Sequence, residues 1–237
     1  MITDSSFEFV FYHIPKCGGT SLRTFFKQLY LTNGFHEEDI YVSCNALNKS
    51  NIMNSDMLDK MLPVLNNTKI VLAHINHKLY PRLPSKFNIT CIRNPINRFI
   101  SSFNHFTLQS NPDYNLEHLY LDDRVQFDKL CTNCYTCPSK IWFRNNILDF
   151  NFIIIFENID ADLKYVTNML KFTTSIDVPH IDPCKQNKHN PNHFKFDMNN
   201  HVHKEMYEYI TQRLSRDISI YNKICNFRSL GDNFLIK

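Results

Sequence analysis

The sequence predicts an α/β fold around a central, mostly parallel sheet of about four to five strands. Three observations carry that reading. Short β-rich runs alternate with helical patterns along the 237 residues. The runs Phe7–His13, Lys69–His74, Phe87–Arg93 and Phe152–Phe156 are almost continuously apolar, as strands buried on both faces are. The first of them leads through a lysine and a glycine pair into a helical stretch, the layout of a turn that holds an anion at a helix N-terminus.

The elements follow in order. Phe7–His13 is the first strand and Thr20–Leu31 the helix after it. A shorter run, Asp39–Ser43, is a further strand candidate. Ser55–Leu62 is helical, Lys69–His74 and Phe87–Arg93 are strands, and Ile96–Leu108 is a helix. The stretch from Asn111 to Ser139 reads as an irregular, cysteine-bearing insertion. The strand Phe152–Phe156 and the helix Ala161–Leu170 come next, then a polar loop (Ile181–Asn192) and a long helical stretch (Asn200–Cys225) broken near Ser215. No repeat, low-complexity tail or linker divides the chain, so residues 1–237 are expected to form one domain.

Composition sets bounds. A hydrophobic share of 43% is enough for a buried core, and 21% charged residues is ordinary. A net charge of +3 is too small to point to nucleic acid, yet it tolerates an anionic ligand. No apolar run is long enough to span a bilayer. The N-terminal segment has no basic n-region and no small-residue cleavage site, so it is not read as a signal peptide. The expectation is a soluble protein without a signal peptide or membrane anchor, its compartment open, with the cytoplasm favoured over a trimmed Golgi-lumenal domain. Eight cysteines are too sparse for a disulfide scaffold. Asn48, Asn66 and Asn88 head Asn-x-Ser/Thr sequons that an Asn-rich chain produces by chance.

The chain has four glycines, and two of them stand together in "FYHIPKCGGTSLRTFF". Glycine lets main chain approach an anion closely and adopt positive φ. Thr20 and Ser21 offer hydroxyl donors and an N-cap, and Lys16 supplies a mobile cation. The loop is not a Walker A motif, in which the lysine follows the last glycine. The simpler alternative is a Gly-Gly turn that only joins strand to helix.

"HIPKCGGTSL" resembles the 5′-phosphosulfate-binding loop, typically HIPKTGGTS, of carbohydrate sulfotransferases related to the heparan sulfate 2-O- and 6-O-sulfotransferases. Cys17 stands where that family usually has threonine, which removes one hydroxyl donor. The resemblance implies a P-loop-type, three-layer α/β/α fold and 3′-phosphoadenosine-5′-phosphosulfate (PAPS) as donor, with PAP as product. It assigns Lys16, Cys17, Gly18, Gly19, Thr20 and Ser21 to the 5′ end of the donor. A second family pattern, a strand ending in Arg, then Asp/Asn-Pro, then a helix bearing Arg and Ser, is matched by "CIRNPINRFISSF". Arg93 and Ser101 are thereby assigned to the other phosphate. Physical chemistry agrees: proline opens helices, arginine bonds phosphate well, and ligands gather at strand C-termini in open α/β sheets. Alternatively, Arg93 and Arg98 face solvent or pair with carboxylates.

Relatives carry a histidine base after the strand that precedes the arginine strand. "VLAHINHKLY" supplies His74, which matches that position better, and His77 in reserve. The resemblance implies in-line sulfuryl transfer to a hydroxyl, with histidine taking the proton and Lys16 stabilising the leaving phosphate. No catalytic metal is expected, since the transferred group carries less charge than a phosphoryl group. The implied acceptor is a carbohydrate. An acidic glycan is among the candidates, given Lys78, Arg82, Lys86, Lys185, Lys188, His189, His193 and Lys195. "IIIFENID" and the C-terminal helix also resemble the family, with Glu157 as a possible site neighbour. Cys131, Cys134 and Cys137, with Cys184 or His118, are left between disulfide, free thiols and structural zinc. Two other functions stand beside this one: a non-catalytic relative that binds PAP or a glycan, and a P-loop nucleotide kinase. The kinase reading lacks the Walker lysine and an acidic metal ligand.

Overall fold

The structure is a computed structural model that describes residues 7–42, 53, 55–75, 79, 82–110, 115–132, 150–172, 174, 176 and 194–229. His77, Lys78, Cys134, Cys137, Cys184, Lys185, Lys188, His189, His193 and Asn48 lie outside these residues. The chain groups into two compact units. One is drawn from Met1–Ile92, Trp142–Ile181 and Asn233–Lys237, the other from Arg93–Ile141 and Asp182–Asp232.

The first unit holds the sheet. Its strands are β1 (Phe7–Tyr12), β2 (Ile40–Val42), β3 (Ile70–Ala73), β4 (Ser85–Ile92) and β5 (Phe152–Ile155), all parallel and in the order β2-β3-β1-β4-β5. The fold class is therefore α/β with a parallel five-stranded sheet flanked by helices, as the alternating pattern predicts. The short β2 falls inside the predicted run Asp39–Ser43. β1 is central: Tyr12 lies beside Ala73 of β3 and Thr90 of β4. Its sequence, FEFVFY, is apolar on both faces because both faces are covered.

Helix α1 (Gly19–Thr32) packs on the Phe9 and Phe11 face of β1. The Phe26 ring lies 4.8 Å from that of Phe9 and 5.3 Å from that of Phe11, and Tyr30 is 5.3 Å from Phe9. On the opposite face, the Tyr12 ring meets Phe150 edge-on at 5.4 Å. Helix α2 (Ser55–Leu65) runs on through Pro63, beyond its predicted end at Leu62. Asn88 in β4 is buried, and its N–H donates to Asn151 Oδ1 at 2.6 Å, so this sequon serves the strand.

The second unit is helical among its described residues: α3 (Pro95–Ser110), α4 (Leu116–Asp122), α5 (Arg124–Thr132), α7 (His201–Arg213) and α8 (Ser215–Ser229). The remaining helix, α6 (Ile159–Met169), belongs to the first unit, where Asp162 Oδ2 accepts the Ile155 N–H of β5 at 2.7 Å. The insertion expected to be irregular is thus helical over α4 and α5. Asn115 caps α4 through the N–H of Glu117 at 2.8 Å, and Asp123 Oδ1 accepts from Gln126 at 3.0 Å to start α5. The break at Asp123 divides the apolar residues between two short helices, so no single helical period crosses it. The C-terminal stretch breaks at Leu214, next to the predicted break.

Phe99, Phe127, Leu116, Met206, Ile210 and Leu214 form the core of this unit. Arg124 lies between the Tyr120 and Tyr209 rings, 3.8 Å from each centroid, and ties α5 to α4 and α7. Among the described residues no helix is long and apolar enough to cross a membrane.

Phe127 is fully buried, with Tyr120 and Tyr209 rings 5.1 and 5.9 Å away. Phe127→Ala is expected to lower the unfolding free energy by about 3–5 kcal/mol. Urea denaturation checks this, and a loss below about 1 kcal/mol would remove Phe127 from the core.

Candidate active site

The candidate site of the first unit begins where β1 ends. The Cys17 N–H donates to Ile14 O at 3.4 Å, closing a turn with Pro15 second and Lys16 third. Lys16 has φ 64, a left-handed conformation that lysine seldom adopts. Proline second and positive φ third are the marks of a type II turn, whose third position favours Gly or Asn. Lysine there costs about 1 kcal/mol, the usual strain of a non-glycine residue at positive φ. The turn directs the chain into Gly18, also left-handed at φ 71, which is the N-cap of α1.

The helix start differs from expectation. Thr20 and Ser21 were expected to supply the N-cap, but Gly18 occupies it and no side chain caps the helix. The helix therefore opens as main-chain N–H groups without a capping oxygen, where the dipole favours an anion. The Cys17 side chain is buried at 1% exposure, and its N–H serves the turn. Thr20 is exposed.

The sequence offers the glycines as anion contacts or as a plain strand-to-helix turn, and the structure gives each a side-chain neighbour. A Cβ on Gly18 would lie 2.4 Å from the Phe156 ring. On Gly19 it would lie 1.5 Å from His13 Nε2. Gly19 thus admits the His13 imidazole against the start of α1. Neither His13 nor Phe156 was identified from sequence, since both contacts join residues whose spacing has no periodic signature.

His74 stands at the end of β3, beside the end of β1. Its ring stacks on that of His13 with centroids 3.9 Å apart and planes at 29°. Its main chain is pinned: Met53 N–H donates to His74 O at 2.7 Å, and Ile75 bridges Met53. His74 Nδ1 lies 3.0 Å from His13 O. A carbonyl only accepts, so this bond places the proton on Nδ1 and leaves Nε2 with its lone pair. Burial, and then the charge of Arg23 on α1, pull His74 down to about 4, with the bond to His13 O opposing. His13 is also held well below the ordinary histidine range, by burial first and then by His74, Arg23 and Lys16. Both imidazoles are neutral at neutral pH.

In the second unit, α3 opens at Pro95, as expected. Asn94 Oδ1 accepts from the N–H groups of Ile96 at 3.0 Å and Asn97 at 3.2 Å. Arg93 immediately precedes this cap and is partly exposed, as is Ser101 on the helix. Arg98 is buried at 1% exposure, and its guanidinium faces Asp217 of α8 at 3.8 Å. Arg98 thus follows the carboxylate-paired alternative.

Two of the basic residues offered for an acidic acceptor are engaged. Arg82 pairs with Asp59 and donates to Ser55 Oγ at 2.7 Å, and Lys86 pairs with Glu8 at 2.6 Å. Lys195 is exposed. Cys131 is buried and His118 exposed, and no metal-binding group of three His, Cys, Asp or Glu occurs among the described residues.

The histidine pair makes stability depend on pH. A folded-state value near 4 against 6.5 for free histidine means that the unfolded chain binds the extra proton first as pH falls. The His74 contribution is complete above pH 6.5 and is lost progressively towards pH 4, in total about 3 kcal/mol. His13 adds in the same direction. Urea denaturation at several pH values is expected to show stability falling across this window, and His74→Gln to flatten the fall. A profile identical in the variant would contradict the assignment.

A family model described as the sulfotransferase family matches residues 1–223, nearly the whole chain. No curated protein gives a significant match. The uncapped helix after a strand, the adjacent lysine and the neutral histidine fit that result, and the chain belongs to the sulfotransferase family, whose members move a sulfuryl group to an acceptor.

Proposed function

We propose that this sulfotransferase takes its sulfuryl group from PAPS and delivers it to a carbohydrate hydroxyl. The observation that carries the reading is the N-terminus of α1 without a side-chain cap, which follows Lys16 in the chain and has the His13 ring, stacked on His74, against Gly19. An anion at that terminus meets N–H groups and a positive helix end. The resemblance of "HIPKCGGTSL" and "CIRNPINRFISSF" to the donor loops adds the two-phosphate nucleotide, with Arg93 and Ser101 assigned to the second phosphate. The carbohydrate acceptor rests on that resemblance, because Arg82 and Lys86 are already paired.

The roles follow from the chain's own groups. The His74 Nε2 lone pair accepts the hydroxyl proton, and its Nδ1–H stays on the His13 carbonyl. The hydroxyl oxygen bonds sulfur as the bond from sulfur to the phosphate oxygen breaks, and the electron pair leaves on that oxygen. Lys16 and the α1 N–H groups stabilise the charge that develops there. The left-handed strain at Lys16 suits this reading, since a residue kept in a costly conformation at a site edge is expected to serve the reaction.

Transfer from labelled PAPS to a panel of glycans tests the proposal. Lys16→Ala is expected to abolish turnover while keeping most of the PAP affinity. Arg93→Ala is expected to weaken PAP binding by about 1.5–3 kcal/mol, the range for a hydrogen bond to a charged group. Equal effects of both variants on turnover and binding would contradict this division of roles.

A further inference from the structure

We propose that His13 is the positioning residue for the His74 base: its buried ring, seated against Gly19, is the flat floor that fixes the plane of the His74 imidazole and keeps water from its face. This rests on the reading of His74 as proton acceptor.

The geometry leaves the His13 ring little other use. It is 5% exposed, and among the described residues its buried Nδ1 has no hydrogen-bond partner. A buried nitrogen without a partner loses its hydration and gains no bond in return. An apolar side chain here would avoid that cost, so the ring is expected to serve a purpose beyond packing. One side of the ring faces His74 at 3.9 Å, and its edge occupies the space that a Cβ on Gly19 would fill. Its main chain is held as well: the N–H donates to Ala73 O at 2.9 Å, and the carbonyl receives His74 Nδ1–H at 3.0 Å. Carbonyl and ring therefore fix different freedoms of one imidazole, the tautomer and the plane.

The stack also suits the step. When His74 takes the hydroxyl proton it becomes an imidazolium against the His13 ring, which adds no second positive charge there. This requires His13 to stay neutral. The charged and titratable groups acting on the pair are Arg23 from α1 and Lys16 from the turn, and both oppose a second positive charge on His13.

The test is His13→Ala in the full chain, with three readouts. Turnover should fall at least tenfold while PAP affinity by calorimetry changes less than threefold. The His74 titration midpoint, followed by NMR of its ring, should rise by at least one pH unit as water reaches the exposed face. In a His74→Ala background, adding His13→Ala should change residual turnover less than twofold, since a floor with nothing above it has no effect. If His13→Ala does not fold, His13→Gln, closer in volume but without the aromatic face, is expected to move the same quantities in the same directions. Unchanged turnover and His74 titration in a folded variant, or full additivity with His74→Ala, would overturn the proposal. If the wild-type protein neither binds PAP nor transfers sulfuryl, the donor reading fails, and the NMR titration still decides the role of His13.

Discussion

The central place of β1 is the constraint on which the site depends. Hydrogen-bonded to β3 on one side and β4 on the other, the strand cannot shift along its axis without breaking two parallel ladders. Its C-terminal end therefore fixes His13, the Pro15–Lys16 turn and the start of α1. The same ladder places Ala73 beside Tyr12, and so sets His74 beside His13. Parallel pairing brings strand C-termini to one edge, which is where open α/β sheets gather their ligands. The phenylalanines of β1 matter to function in this indirect sense: Phe9 and Phe11 bury α1 against the sheet and so hold its N-terminus in place.

The site combines rigidity with locally unfavourable features. Lys16 is left-handed, His13 carries a nitrogen with no partner among the described residues, and two imidazoles lie in contact where both cannot be charged. Each is unfavourable alone, and the surrounding packing makes each tolerable. Gly18 and Gly19 are the residues that allow it. The first takes the left-handed N-cap beneath Phe156, and the second yields its Cβ space to His13.

Much of this was legible in the sequence, for identifiable reasons. Strands buried on both faces leave continuous apolar runs, so β1, β3, β4 and β5 were visible, and even the three-residue β2 fell within a predicted run. The turn from β1 into α1 was visible because lysine and two glycines stand together between an apolar run and a helical pattern. Helices α4 and α5 were not, because Asp123 divides their apolar residues. The meaning of Gly19 was hidden too, since its partner is the side chain of His13 across a turn. Arg98 could not be separated from Arg93 by spacing, because one is buried opposite Asp217 and the other is partly exposed. Sequence spacing does not show that Asp59 and Glu8 pair with Arg82 and Lys86.

The most direct measurement is calorimetric titration of the purified protein with PAP, ADP and ATP with Mg²⁺. The account predicts micromolar binding of PAP, at least tenfold tighter than ADP, a difference of about 1.4 kcal/mol. Equal or tighter binding of Mg²⁺–ATP would contradict the PAPS reading and reduce the site to a general phosphate turn at the end of a parallel strand.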